Sequence, residues 1–91
     1  MRIGGRKYAA EVARRKAQRA SNLRRLRDGR AWTQPELGRR LGMPASYVCQ
    51  METGSRPITL QTVDRVAAAL ELPPAQVLAE LDAPSAVPEA T

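Results

Sequence analysis

Apolar residues recur along the chain at the three- and four-residue spacing that places side chains on one face of a helix. No segment shows the strict alternation of a half-buried strand, so the pattern predicts an all-α protein. The predicted elements are five short helices: a packed first helix over about 21–28, a second that starts after Thr33 and ends at Gly42, a third from Pro44 or Ala45 to Thr53, a fourth that starts after Thr59, and a fifth that starts at Pro73-Pro74. The side chains expected on the buried faces are Leu23, Leu26, Leu37, Leu41, Val48, Met51, Leu60, Val63, Val66, Ala67, Leu70, Val77, Leu78 and Leu81.

The boundaries of the second helix carry the clearest local signals. Thr33 followed by Glu36 is typical of a capping box, in which each side chain bonds to the other residue's backbone N–H. Pro35 falls in the first turn, where a missing N–H does no harm. Gly42 stands where a helix commonly ends in a left-handed residue, and Gly54 does the same for the third helix.

The positive charge of the chain is concentrated near its N-terminus. Residues 1–30 hold eleven Lys and Arg against two acids, whereas residues 31–91 hold four Arg against seven acids. We therefore divide the chain into a basic N-terminal arm over 1–20, which is either flexible or a helical extension, a helix-rich domain over 21–81, and a disordered C-terminal tail over 82–91. A basic arm of this kind is typical of a site that binds a polyanion, and nucleic acid is a more common partner than an anionic membrane. The alternative is that the arm is only a solvated tail.

Several classes of protein are disfavoured by the composition. The arm has only Ile3, Tyr8 and Val12 as large apolar residues, too few for a helix bound at a membrane surface, so we expect no membrane partner. No apolar run approaches the ~20 residues that span a bilayer, and no apolar stretch of a secretory signal follows the basic residues. The chain has no histidine and one cysteine, so we expect no enzyme activity, no cofactor and no metal site. The lack of a spanning run and of a secretory signal predicts a cytoplasmic location. Cys49 is interpreted as a small filler rather than a redox sensor.

The centre of the chain, over about 33–52, has the order of a helix, a short turn containing glycine, and a second helix. Characteristic motifs surround it: Leu23-Arg24-Arg25-Leu26-Arg27, Trp32-Thr33-Gln34 with Glu36-Leu37, Leu41-Gly42-Met43 with Ser46-Tyr47-Val48, Met51-Glu52-Thr53-Gly54 with Arg56, Thr59-Leu60, and Leu70-Glu71-Leu72. In this order they resemble the phage-repressor and Cro type of helix-turn-helix domain, the XRE family, over residues 23–78. The resemblance implies a five-helix, lambda-repressor-like DNA-binding domain whose recognition helix starts near Ala45 and enters the major groove.

By position, the resemblance assigns roles to individual residues. Ala45, Ser46 and Gln50 are expected to contact base edges. Gln50 is suited to adenine, because glutamine can bond adenine N6 and N7 together. The residues expected at the DNA backbone are Thr33, Gln34, Tyr47 and Arg56.

The resemblance also pairs Arg27 with Glu52 in a structural ion pair that ties the first helix to the recognition helix. One departure concerns Pro44, which stands where the family has a capping Ser or Thr, so a side-chain cap of about 1 kcal/mol is missing. Two simpler interpretations stay open. Tyr47 can pack its ring against the turn, and Gln50 can be an ordinary exposed residue.

Three further residues receive structural interpretations. Trp32 precedes the Thr33 cap, which favours a hydrophobic staple or core residue over base stacking. Arg39 and Arg40 are interpreted as a solvated helix face, and contact with the DNA backbone is the alternative. The sequence gives none of the three a role in base contact.

Together these features predict a sequence-specific transcriptional regulator of bacterial or phage origin, a repressor that binds double-stranded DNA as a homodimer on a palindromic operator. The fourth and fifth helices, around 72–81, are expected to form the dimer surface. The alternative is an antitoxin, which binds a toxin or another regulatory protein and represses its own operon through the same domain. A toxin gene immediately beside this one would favour the alternative.

Overall fold

The computed structural model describes residues 5–84, with side chains from residue 8 onward. Within this range the chain forms five helices and no strand: α1 (Gly5–Gly29), α2 (Gln34–Leu41), α3 (Ala45–Thr53), α4 (Leu60–Leu70) and α5 (Pro74–Leu81). The predicted all-α, five-helix fold is thereby confirmed. From residue 85 on, the predicted C-terminal tail lies outside the described residues. No helix of the described part has the length and apolar character needed to cross a membrane.

One apolar core joins all five helices and contains most of the predicted residues. The fully buried members are Leu23, Leu37, Leu41, Val48, Met51, Val63, Val66, Ala67, Leu70, Val77 and Leu81. Leu26 and Leu78 are partly buried against this core. The prediction was wrong for Leu60, whose side chain is 71% exposed. Leu60 is the first residue of α4, and because helical side chains lean toward the N-terminus, it projects beyond the packed part of the helix.

The first helix includes the helical extension that was one of the two states expected of the arm. It begins at Gly5, and from Tyr8 onward no side chain is fully buried before Ala20. Glu11 stabilises the solvated turns by accepting hydrogen bonds from Arg14 and Arg15, three and four residues further along. These bonds hold the pKa of the Glu11 carboxyl below its ordinary value.

The end of α5 is fastened to α1. The buried amide of Asn22 donates to the carbonyl oxygens of Leu81 and Ala83, at 2.8 and 3.0 Å. The amide of Gln18 also donates to the Ala83 oxygen, at 2.8 Å, and the guanidinium of Arg19 pairs with Asp82. These contacts satisfy carbonyl groups that a helix end leaves without partners. The contacts of α1 with the domain therefore begin at Gln18, within the segment that the sequence assigned to the arm.

The ends of α2 follow the sequence signals only in part. Thr33 Oγ1 accepts a hydrogen bond from the backbone N–H of Glu36 at 3.1 Å, and Gly42 ends the helix at a φ of 72°, as predicted. The second half of the capping box was wrong. Instead of returning to Thr33, the Glu36 carboxylate accepts charge-assisted bonds from Arg39 and Arg40, at 2.5 and 2.7 Å. The two guanidiniums carry full positive charges, which attract the carboxylate more than the partial charge of a backbone N–H does.

Candidate nucleic-acid interface

The angle between α2 and α3 depends on a close backbone approach at Gly38. A Cβ atom added at this buried glycine would lie 2.6 Å from the carbonyl oxygen of Met43, in the turn that leads into α3. The same turn is held by a hydrogen bond from the Met43 N–H to the Gly38 carbonyl oxygen, at 2.9 Å. Gly38 was not predicted to be important, because a glycine inside a helix gives no local sign of what lies against it.

Packing uses one face of α3 and leaves the other free. Val48 and Met51 are fully buried. On the other face Ser46 is exposed, and Ala45 and Gln50 are half-buried. The structure therefore brings the three predicted base-contacting residues together on one surface. Cys49 is also exposed, so its interpretation as a filler was wrong. Val48 and Met51, three residues apart, occupy the inward face of α3. Cys49 directly follows Val48 and is therefore rotated away from that face.

A buried polar cluster connects α1, α2 and α3. The guanidinium of Arg27 donates to both carboxylate oxygens of Glu52, at 2.6 and 3.0 Å. It also donates to the Trp32 carbonyl oxygen at 2.7 Å, and the Gln34 amide donates to Glu52 Oε1 at 3.1 Å. The side chains of Arg27 and Glu52 are only 10% and 3% exposed. The bond to Glu52 raises the pKa of Arg27 above its ordinary value, so Arg27 stays charged at any working pH.

A second polar cluster lies at the C-terminal end of α3. The guanidinium carbon of Arg56 stands 3.6 Å from the centre of the Tyr47 ring, and Arg56 Nε donates to Gln50 Oε1 at 2.9 Å. The ring of Tyr47, 38% exposed, is thus stacked by an arginine. The stacking of Tyr47 on Arg56 and the bond between Arg56 and Gln50 were not predicted, because each residue was assigned to DNA, Tyr47 and Arg56 to the backbone and Gln50 to a base.

The N-terminal end of α2 places the remaining predicted residues. Thr33 is exposed, and Gln34 is half-buried with its amide directed to Glu52. Trp32 is partly buried against the core, in agreement with its structural interpretation, and the guanidinium of Arg40 lies 4.2 Å from its ring centre. Pro44 precedes α3 without a side-chain cap, as expected.

Comparison with known proteins relates this chain to a family and to a relative. A family model described as a helix-turn-helix domain matches residues 20–81, which is more than half of the chain. The chain is also 36% identical over 59 residues to a protein of Neisseria meningitidis serogroup B named "Neisseria hypothetical transcription factor". That match covers 65% of this chain and 56% of the relative, so the chain spans little more than half the relative's length.

Proposed function

This chain belongs to the helix-turn-helix domain family, and we propose that it is a sequence-specific DNA-binding transcriptional regulator that inserts α3 into the major groove. The observation that carries the proposal is the free face of α3, which groups Ala45, Ser46 and Gln50 beside a fully packed opposite face. The major groove is about 12 Å wide and admits one helix. Short uncharged side chains on that helix bring its backbone close to the base edges.

The residues around α3 support separate roles in base contact and in contact with the DNA backbone. Thr33 and Gln34 lie at the start of α2, Tyr47 lies in the first turn of α3, and Arg56 follows the end of α3. We propose that these four residues contact phosphates and fix the orientation of the domain. The hydroxyl oxygen of Thr33 accepts from the backbone of Glu36, so its proton is left to donate to a phosphate oxygen. The Arg27–Glu52 pair holds α3 on the body of the domain and contacts no base.

We further propose that the regulator is a repressor that binds a palindromic operator as a homodimer, because a single small module gains affinity and specificity by pairing half-sites. Within the segment expected to form the dimer surface, Val77 and Leu81 are fully buried in the monomer. Leu60 and the half-buried Leu78 line one shallow groove and remain available. We therefore assign the dimer contact to these two leucines. No contact among residues 5–84 favours the antitoxin alternative, which stays a prediction from sequence.

Replacing Gln50 by alanine is expected to remove the base preference at one position of each half-site, because the side chain is on the free face of α3. The loss of one good base contact corresponds to about 1–3 kcal/mol of discrimination. Gel shifts with a pool of randomised DNA sites measure this base preference. Gln76→Ala is the matched control, since Gln76 is exposed on α5 and its side chain bonds to no described residue other than Glu80. Unchanged preference in Gln50→Ala would remove this residue from the base-contacting set.

Deleting residues 1–15 is expected to reduce the salt dependence of DNA binding while leaving the sequence preference in place. The segment holds five basic residues and one acid, and its described part is a solvated helix. Each phosphate that the protein no longer neutralises reduces the slope of log K against log salt by about 0.9. The deletion stops before Gln18, so the hydrogen bond from Gln18 to Ala83 survives. A slope equal to that of the full chain would show that the arm does not touch DNA.

A further inference from the structure

The orientation of the Gln50 amide is fixed by Arg56. Arg56 Nε lies 2.9 Å from Gln50 Oε1. A guanidinium has only donors, so the amide group must turn its oxygen toward Arg56. The amide nitrogen, with its two N–H donors, then points away from Arg56. Gln50 therefore offers two N–H donors to the free face of α3, and one of the two lone pairs of its oxygen is occupied by a cationic donor.

Arg56 is itself held in place by the fold around it. Its guanidinium stacks on the Tyr47 ring at 3.6 Å, and its backbone N–H donates to the Gln50 carbonyl oxygen at 3.1 Å. The backbone N–H of Ser55 donates to the same oxygen at 2.9 Å, so the turn after α3 closes over its last residues. The arrangement of Arg56 and Gln50 is thus built into the protein before DNA is bound, at no cost in ordering when it binds.

The edges of adenine and guanine respond differently to such an amide. In the major groove adenine presents the N7 acceptor beside the N6 donor, whereas guanine presents two acceptors, N7 and O6. A glutamine that recognises adenine must both accept and donate. The positive charge of Arg56 at the Gln50 oxygen disfavours a second donor there, such as adenine N6, and favours an acceptor such as guanine O6. We propose that Arg56 is a positioning residue that makes Gln50 select guanine over adenine. This inference rests on the proposed function, and it replaces the adenine contact expected for a glutamine with a free amide.

The test measures preference at a single base pair. Binding-site selection with the full chain gives a site, and selection with Gln50→Ala identifies the base pair that Gln50 faces. Affinities are then measured for the four versions of that base pair. The wild type is expected to prefer guanine to adenine by about tenfold. In Arg56→Met the Gln50 oxygen is released, and the ratio is expected to fall about tenfold, to parity or to a preference for adenine.

Two further variants separate positioning from phosphate binding. Arg56→Lys keeps the positive charge but lacks the planar guanidinium, which can stack on Tyr47 and donate to Gln50 at the same time. This variant should therefore also lose the guanine preference. This milder change also carries the test if thermal melting shows that Arg56→Met does not fold. Arg40→Met is the control, since Arg40 contacts Trp32 and Glu36 and has no contact with Gln50 among the described residues. It removes one charge and should leave the ratio unchanged.

The possible results separate a failure of this inference from a failure of the proposed regulator function. If Arg56→Met and Arg56→Lys weaken all four versions equally and keep the wild-type ratio, Arg56 acts at a phosphate only and the inference is overturned. A wild-type preference for adenine, or a selected site that Gln50→Ala does not alter, overturns it as well while leaving the regulator function standing. If the wild type selects no sequence at all, the proposed function fails together with the inference.

Discussion

Replacing Glu52 by leucine is expected to lower the free energy of unfolding by about 3–5 kcal/mol, the cost of breaking a buried ion pair from one side. The Arg27 guanidinium, 10% exposed, would lose the carboxylate that receives two of its hydrogen bonds. The Gln34 amide would lose its partner too. Chemical denaturation followed by circular dichroism at neutral pH measures the change. We expect a loss of DNA binding to accompany it, because α3 would no longer be fastened to α1.

The double variant Arg27→Met with Glu52→Leu provides the matched control. Apolar side chains of similar volume commonly replace a buried ion pair at little cost, so most of the lost stability should return. A second control is Glu11→Leu, which removes two ion pairs from the solvated turns of α1 and should scarcely change the unfolding curve. If Glu52→Leu were as stable as Glu11→Leu, the Arg27–Glu52 pair would have no structural role.

Replacing Gly38 by alanine is expected to lower the free energy of unfolding by about 1–3 kcal/mol, the usual range for overpacking. Helix propensity alone predicts the opposite sign, a gain of about 0.5–1 kcal/mol. The new Cβ would lie 2.6 Å from the Met43 carbonyl oxygen, and neither group is the end of a flexible side chain. The turn must therefore shift, and α3 must shift with it. Thermal unfolding measures the stability, and DNA affinity is expected to fall in the fraction that remains folded.

Gly29 offers the matched control for this change. It also lies in a helix, at the end of α1, but a Cβ added there would meet nothing within 4 Å. Gly29→Ala is therefore expected to leave stability equal or slightly higher, through lower entropy of the unfolded chain. Equal stabilities of Gly38→Ala and Gly29→Ala would contradict the close approach of α2 to the turn.

The features predicted from the sequence are those that neighbouring residues determine. Thr59 caps α4 through the N–H of Thr62, as Thr33 caps α2, because a hydroxyl can reach a backbone group three residues on without help from the rest of the chain. Gly54 ends α3 at a φ of 85° for an equally local reason. Helical spacing likewise located most of the core.

The features that escaped the sequence depend on contacts between distant parts of the chain. Leu60 fits the helical spacing, yet nothing in the described structure covers the first turn of α4 at that point. Asn22 appears as an ordinary polar residue, although its buried amide holds carbonyl oxygens 59 and 61 residues away. The bond from Arg56 to Gln50 depends on the turn after α3 folding back, which spacing does not reveal. The Arg27–Glu52 contact was expected only through the resemblance to a family, since 25 residues separate the partners.

The central proposal is that α3 recognises a DNA sequence, and unbiased binding-site selection with the full chain tests it most directly. The expected result is an enriched inverted repeat, with half-site centres about one helical turn, 10–10.5 base pairs, or a multiple of it apart. The spacing would also give the geometry of the homodimer. A pool that stays random after repeated rounds at moderate salt would contradict the proposal, because binding would then come from the basic arm and carry no sequence information.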